Sequence, residues 1–246
     1  MARTPAWPPA SLTRLFIDQP LADGQTLAIE GGQAHYLGAV MRLKAGDPIA
    51  LFDDRSGEWR AGIEQVGKRA VVVRIVERIR ARETVPDLWL LAAPIKKGRI
   101  DWMVEKACEL GVARFRPVLT QRTVVDRLNL DRLRAHMIEA AEQCERTALP
   151  ILDEPAKLAA VLRDWPGDRV LIFADEQGGE PMATAAKPGP AAILIGPEGG
   201  FTDEERAMIR AVPHATGVSL GPRILRADTA MAAAVSLWMG LAGDWR

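Results

Sequence analysis

The sequence predicts an α/β protein with two domains, a small N-terminal β-barrel and a C-terminal, mostly parallel α/β sheet. Strand-like segments follow one another closely in the first part of the chain, which is typical of a small barrel. Farther along, strand-like segments alternate with amphipathic helices, which is typical of a parallel sheet covered by helices. The 246 residues, 48% of them hydrophobic and 26% charged, suit one large or two ordinary soluble domains. We therefore expect domains at residues 1–80 and 81–246.

The N-terminal domain is predicted from short segments rich in β-branched residues that lie between turn clusters. A short helix is expected between Gln33 and Arg42, and the polar segment Arg78–Glu83 has no periodicity and is predicted to be the linker. The expected strands are Leu12–Ile17, Leu27–Glu30, Pro48–Phe52, Glu58–Val66 and Arg69–Val76.

The C-terminal domain is predicted from alternating helices and strands. Apolar residues at positions i, i+3, i+4 and i+7 indicate a helix that begins at Arg99, and Gly111 is placed to end it. The expected helices are Arg99–Leu110, Leu130–Arg146, Asp203–Ala211 and Thr229–Gly240. The expected strands are Leu88–Ala92, Phe115–Leu119, Val170–Phe173, Ala191–Ile195 and Val218–Leu220.

The charge composition excludes a strongly basic protein, because Lys plus Arg and Asp plus Glu both number 32. The charge is nevertheless uneven: residues 1–150 carry 23 basic and 19 acidic groups, and residues 151–246 carry 9 and 13. Arginines number 25 against 7 lysines, and the arginine fork suits phosphates and bases. A GC-rich genome also favours arginine codons, so the asymmetry by itself is weak support for RNA binding.

Several classes of protein are not expected. No apolar run reaches the roughly 20 residues of a membrane-spanning helix, and the proline-rich N-terminus lacks the apolar core of a secretory signal. The two cysteines and the three histidines, Cys108, Cys144, His35, His136 and His214, have no metal-type spacing. We expect a cytoplasmic protein without a metal or a membrane partner.

The strongest local motif is a glycine-rich turn between a buried strand and a helix, over residues 193–205. Thr202 and Glu205 have the spacing of a capping box, which specifies where the helix begins. Glycines in such a turn let the backbone approach a ligand, and in an open α/β sheet ligands bind beyond the carboxyl ends of the strands. The motif matches neither the phosphate-binding loop of nucleotide triphosphatases nor a dinucleotide fingerprint. A tight turn without a ligand is the alternative.

Two further loops follow predicted strands. The segment Ser219–Ala230 exposes two arginines around the apolar pair Ile224 and Leu225, and the segment Phe173–Gly179 ends in two glycines. Three loops of this kind at strand ends predict one shared cleft rather than three unrelated turns.

The chain resembles the RsmE family of 16S ribosomal RNA (uracil-N3)-methyltransferases in the SPOUT superfamily. The resemblance covers nearly the whole chain and is most specific in two motifs, Leu194–Phe201 and Leu220–Ala230. It extends to the segments 14–16, 35–42, 105–112 and 139–144. One difference is Asp228, where the family usually has glutamate.

The resemblance implies a PUA-like N-terminal barrel that binds RNA and a SPOUT domain with a C-terminal trefoil knot. It further implies a homodimer with the cofactor pocket beside the subunit interface, S-adenosylmethionine (SAM) as cofactor, and 16S rRNA, in the 30S subunit, as substrate.

Site residues are predicted from these motifs and from the resemblance. Arg226 is expected to be catalytic, because methylation at uracil N3 develops negative charge that a guanidinium can stabilise; a salt bridge from Arg226 to Asp228 or to a partner subunit is the structural alternative. The cofactor is expected to contact Phe173, Ala174, Asp175, Glu176, Ile195, Gly196, Pro197, Glu198, Gly199, Gly200, Leu220, Gly221, Ile224, Leu225 and Thr229. The RNA is expected to contact Arg14, Arg42, Lys96, Lys97, Arg122, Glu139, Gln143 and Arg146.

Two other functions stay open at this point. The chain could be a non-enzymatic RNA-binding factor of ribosome assembly, although three glycine-bearing loops at strand ends are of little use to such a protein. It could also be an α/β enzyme with another nucleotide cofactor, although the motifs for phosphate and ribose binding are absent.

Overall fold

A computed structural model describes residues 12–125 and 127–245, which form two compact units. The first unit contains the described residues up to Thr84 together with Glu142–Ala148, and the second contains the rest. The N-terminal segment in which no secretory signal was expected lies outside the described residues. Among the described helices, none is long and apolar enough to cross a membrane.

The first unit is a curled five-stranded sheet in the order β1-β3-β4-β5-β2. Its apolar side chains, among them Leu51, Ile63 and Val73, face one core. A helical turn after β2 continues as one turn of π-helix, Tyr36–Val40, so the predicted short helix is confirmed with a different geometry. The elements are β1 (Arg14–Phe16), β2 (Thr26–Glu30), α1 (Gly31–His35), β3 (Pro48–Phe52), β4 (Glu58–Val66) and β5 (Ala70–Arg80).

A segment from later in the chain, Glu142–Ala148, belongs to this first unit. Arg14 and Arg80 both bind the carboxylate of Glu58, and both also donate to backbone carbonyls of the segment. Oε1 of Glu83 accepts hydrogen bonds from two backbone N–H groups of the segment at 2.7 and 3.0 Å. Backbone N–H and C=O groups of a segment distant in the sequence therefore find their hydrogen-bond partners in charged side chains of the N-terminal part of the unit.

The second unit is a parallel sheet in the order β11-β13-β10-β12-β6-β7-β8, with the short β9 paired to β7. Alternate strand residues face two apolar cores: Leu90 and Ile193 pack with α2, α3, α5 and α7, and Leu91 and Leu194 pack with α4 and α6. The strands are β6 (Leu88–Ala92), β7 (Arg114–Leu119), β8 (Ile151–Leu152), β9 (Ala156–Lys157), β10 (Val170–Ala174), β11 (Glu180–Pro181), β12 (Ala191–Ile195) and β13 (Ala215–Ser219). The helices are α2 (Arg99–Glu109), α3 (Leu130–Gln143), α4 (Leu158–Arg163), α5 (Met182–Ala185), α6 (Asp203–Arg210) and α7 (Ala227–Leu241).

The structure corrects some predicted bounds. β5 continues through Arg80, so residues 78–80 are a strand and not a linker, because they pair with β4. α3 ends at Gln143 rather than at Arg146, because Glu145 takes a left-handed conformation with φ of 62° and the chain turns there. The four short elements β8, β9, β11 and α5 and the helix α4 were not predicted.

Candidate active site

A cavity of about 640 Å³ opens in the second unit where β10, β12 and β13 end. These strands are parallel neighbours, with β10 between the other two, so their carboxyl ends meet at one edge of the sheet. The loops that follow the three strands form its wall, as expected for a ligand site in an open α/β sheet. Its volume lies within the range of about 300–1,000 Å³ that is typical of small-molecule sites.

The glycine-rich loop after β12 has a defined end. Thr202 caps α6: its side chain accepts from the backbone N–H of Glu205 at 3.2 Å, and Glu205 Oε2 accepts from the Thr202 N–H at 3.0 Å. Gly200 has φ of +68°, and a Cβ at this position would overlap the carboxylate of Glu176. Glycine is therefore required at position 200 for two reasons, the backbone conformation and the neighbouring carboxylate.

A buried charge network supports the wall of the cavity. The side chain of Asp175 is fully buried, and its two carboxylate oxygens accept from Arg206 at 3.2 Å and from Arg210 at 2.7 Å. Burial lowers the pKa of Arg206, but its bonds to Asp175 and Glu176 raise it by more, so its net pKa is raised. Both oxygens of the Asp175 carboxylate are therefore occupied by arginine side chains.

Arg99, at the start of α2, joins two loops of the site. Its Nη1 lies 3.1 Å from Glu198 in the glycine-rich loop and 3.8 Å from Asp228 at the start of α7. Asp228 therefore pairs with Arg99. Arg226 lines the cavity, is exposed, and makes no ion pair with any described residue. The intramolecular salt-bridge alternative for Arg226 is not what the structure shows.

The cavity gathers most of the residues that were predicted to bind a cofactor. Phe173, Gly199 and Thr229 do not line it: the Phe173 side chain is buried in the core, the Gly199 carbonyl accepts from Arg122 at 2.6 Å, and Thr229 faces solvent. The predicted residues that line the cavity are Ala174, Asp175, Glu176, Ile195, Gly196, Pro197, Glu198, Gly200, Leu220, Gly221, Ile224, Leu225 and Arg226.

The residues predicted to bind RNA fall into two groups. Arg14 and Arg146 have side chains that are only 7% and 4% exposed, and Arg14 uses its guanidinium on Glu58 and on backbone carbonyls. Both side chains are therefore used within the fold, and their contact with RNA stays a prediction. The other six are exposed: Arg42, Lys96, Lys97, Arg122, Glu139 and Gln143.

Sequence reasoning missed Arg206, and it considered Arg99 only as a possible phosphate contact, not as the partner of Glu198 and Asp228. Arg206 follows four acidic or hydroxyl residues on a short helix and looks like an ordinary surface residue in the sequence. The only available signal was its distance of four residues from the capping Thr202, which places it on the inner face of α6.

Comparisons with known proteins agree with this architecture. A family model described as an RNA methyltransferase domain matches residues 82–239, and one described as an RNA methyltransferase PUA domain matches residues 29–76. The chain is 30% identical to the ribosomal RNA small subunit methyltransferase E of Rickettsia conorii, over 91% of this chain and 93% of that protein. The corresponding protein of Bacillus subtilis is 29% identical over 92% and 95%.

Two solved structures are similar over nearly their whole length. A Legionella pneumophila protein solved with bound SAM has 30% identity and a TM-score of 0.87, and covers 96% of this chain and 100% of its own. A ribosomal RNA small subunit methyltransferase E from Neisseria gonorrhoeae bound to SAM has 26% identity, the same TM-score and the same coverage.

The parallel sheet, the cavity at its edge and the matched family models together define an RNA methyltransferase. Within that class, the extent of the similarity identifies the family. The chain belongs to the ribosomal RNA small subunit methyltransferase E family, and the resemblance inferred from its motifs is confirmed.

Proposed function

We propose that this chain transfers a methyl group from SAM, held in the cavity, to N3 of a uridine in 16S rRNA of the small ribosomal subunit. The observation that carries the proposal is the cavity of about 640 Å³ formed by the three predicted loops, in a chain that matches SAM-bound relatives over nearly its whole length. Because its substrate is ribosomal RNA, we place the protein in the cytoplasm.

The residues around the cavity fit SAM chemically. Its wall combines the apolar side chains of Ile195, Leu220 and Leu225 with carboxylates and guanidiniums. SAM has the matching parts, an adenine ring, a carboxylate, an ammonium group and a cationic sulfur. When bound, it supplies an electrophilic methyl group. The loops after β10, β12 and β13 would hold it.

Arg226 suits the chemistry of the uracil ring. Removal of the N3 proton leaves negative charge that is shared with O2 and O4, and a positioned guanidinium stabilises such charge. Arg226 lines the cavity, and the carboxylate nearest to it in the sequence, Asp228, pairs with Arg99. Its guanidinium is therefore available for a substrate.

The first unit carries a surface that suits RNA. Tyr36 of the π-helical turn and Met41 directly after it are exposed. Val66 at the end of β4 lies beside this turn, where a Cβ on Gly38 would approach it to 3.3 Å. Four exposed cations, which make no ion pair with a described residue, follow the turn or lie in the adjacent β4–β5 hairpin: Arg42, Lys44, Lys68 and Arg69. We call these seven residues the π-turn patch. Unpaired cations beside an exposed aromatic ring suit phosphates and an unstacked base.

The second unit carries an apolar surface that suits a second copy of the chain. Leu237 and Leu241, one turn apart on α7, are 46% and 41% exposed, and Trp245 beyond the helix is 51% exposed. Trp102 on α2, which packs against α7, is also exposed. Exposed apolar side chains arranged in this way are typical of a subunit interface, so we propose a homodimer.

The trefoil knot is part of the proposal as well. The strand order supports it. β12 lies between β10 and β6, and the next strand in the chain, β13, lies on the opposite side of β10. α7 then crosses back to pack against β12.

Isothermal titration with SAM, ATP and NAD tests the cofactor. We expect binding of SAM alone, and binding of ATP or NAD in its place would contradict the proposal.

Incubation with SAM and 30S subunits, followed by mass spectrometry of the 16S rRNA, tests the reaction. Binding of RNA without methyl transfer would leave the chain an assembly factor.

A further inference from the structure

Arg206 does not line the cavity, but it binds three residues that do. Its Nε donates to Asp175 Oδ1 at 3.2 Å, its Nη1 to the Phe201 carbonyl at 2.9 Å and its Nη2 to Glu176 Oε1 at 2.8 Å. The side chain is 9% exposed. Since the guanidinium is planar and rigid, these three bonds fix the end of β10 relative to the end of the glycine-rich loop.

Glu176 is held at one oxygen only. Oε1 accepts from Arg206, whereas Oε2 makes no hydrogen bond with a described residue. The carboxylate lies against Gly200, where a Cβ would overlap it, and half of the side chain is exposed toward solvent. The cavity wall thus contains a carboxylate oxygen that is available to a ligand and fixed in place from behind.

We propose that Arg206 is a positioning residue that holds Glu176 so that Oε2 accepts a hydrogen bond from a hydroxyl or ammonium group of bound SAM. This inference rests on the proposed function, which places SAM in the cavity. An unrestrained glutamate would lose rotamer freedom when SAM binds, and this loss would reduce the binding free energy. A glutamate that Arg206 already holds has lost that freedom during folding, so SAM binding does not include this cost. Arg206 therefore raises affinity without touching the ligand.

Arg210 provides a matched control. It binds the same buried carboxylate, with its Nη2 2.7 Å from Asp175 Oδ2, and it stacks on Phe173. It makes no hydrogen bond to Glu176 or Phe201. Arg210→Met therefore removes the same charge from beside Asp175 without disturbing the link to Glu176.

A double-mutant cycle measured by isothermal titration with SAM tests the inference. We expect Glu176→Gln and Arg206→Met each to weaken SAM binding about tenfold, because a hydrogen bond to a charged group is lost or misplaced. The double variant should also be about tenfold weaker, not a hundredfold, because both changes remove one interaction. Arg210→Met should bind SAM within about twofold of the parent.

Arg206→Lys covers the case in which the methionine variant does not fold. Lysine keeps a positive charge beside Asp175 but cannot reach three separate acceptors. We therefore expect Arg206→Lys to fold and to bind SAM at least about threefold more weakly than the parent. Thermal unfolding without SAM checks that the variant is folded. Folded Arg206 variants that bind SAM like the parent, or an additive double variant, would overturn the positioning role. A parent that does not bind SAM at all would instead overturn the proposed function.

Discussion

The Asp228 carboxylate at the start of α7 lies 3.8 Å from the guanidinium of Arg99. The family's usual glutamate is one methylene longer, and the shorter aspartate still reaches this partner at the distance of a loose ion pair. The arrangement leaves Arg226, two residues earlier, at the cavity without a carboxylate partner among the described residues.

Replacing Arg226 by alanine should reduce methyl transfer far more than it reduces SAM binding. Removal of one positioned donor to a developing anion typically lowers the rate about a hundredfold or more. SAM is already cationic at sulfur, so its affinity should be unchanged or slightly higher. Arg226→Lys should recover little, because an ammonium group lacks the guanidinium fork. Single-turnover transfer to 30S subunits, with both substrates saturating, measures the effect.

The control for Arg226→Ala is Arg163→Ala, the same change at a side chain that is 75% exposed on α4. It should transfer methyl groups like the parent. If Arg226→Ala stays within about threefold of the parent rate, Arg226 has a structural role and other groups carry the reaction.

Lys68→Ser and Arg69→Ser in the π-turn patch should weaken RNA binding and reduce its salt dependence. Each lost phosphate contact should lower the slope of log affinity against log salt by roughly one. Tyr36→Ala should weaken binding by about 1–3 kcal/mol if a base stacks on the ring. Titration of the full-length protein with its RNA at several salt concentrations measures both quantities.

Arg60 offers the comparison for the π-turn patch. Arg60 lies on β4 and is exposed like the arginines of the patch, but it pairs with Glu77 at 3.5 Å. Arg60→Ser should therefore change RNA affinity and its salt slope little. Equal losses in Arg60→Ser and Arg69→Ser would show that general charge, and not the patch, holds the RNA.

Leu241→Glu should dissociate the proposed homodimer, because a carboxylate would be buried against an apolar surface without a partner. Sedimentation at micromolar concentration should then show a 26.8 kDa species in place of the dimer. Met208→Glu on α6 is the control, since it adds the same charge at an exposed methionine on the other face of the sheet. A parent that already sediments as a single 26.8 kDa species would rule out the dimer.

Asp53 should stabilise the first unit in a pH-dependent manner. Asp53 is 2% exposed, and its burial by itself raises its pKa. Hydrogen bonds from Ser56 and from three backbone N–H groups lower the pKa by more, so the net pKa lies below the ordinary value of 3.8. A carboxyl group with a lowered pKa in the folded state contributes stability above its ordinary pKa and loses it as the pH falls through the folded value. Asp53→Asn should lower the free energy of unfolding at pH 7 by about 1–3 kcal/mol.

Urea unfolding at several pH values tests this expectation. The difference between the parent and Asp53→Asn should be constant near neutral pH and should shrink below about pH 4, where the parent's carboxylate becomes protonated. Asp168→Asn, at an exposed aspartate, should differ little from the parent near neutral pH. A difference that grows as the pH falls would contradict the assigned direction of the pKa shift.

Long, regular elements could be predicted from the sequence, and short or tertiary features could not. β3, β4, β6 and β12 have the predicted bounds because each is a run of five or more residues that is rich in apolar side chains. Two-residue strands such as β8 have too few residues for any periodicity. The three loops of the cavity were recognisable because glycines follow buried strands. The roles of Arg206 and Arg14 depend on carboxylates at least 30 residues away in the chain, which no local pattern reveals.

The late segment Glu142–Ala148 has a consequence for synthesis on the ribosome. The sheet of the first unit ends at Arg80, but the backbone groups that Arg14, Arg80 and Glu83 bind are translated only about 60 residues later. At roughly 5–20 residues per second, this delay is a few seconds. During that time Arg14 and Arg80 can bind Glu58 but lack the backbone carbonyls of the late segment. Completion of the first unit therefore waits until residues 85–141 of the second unit have been translated.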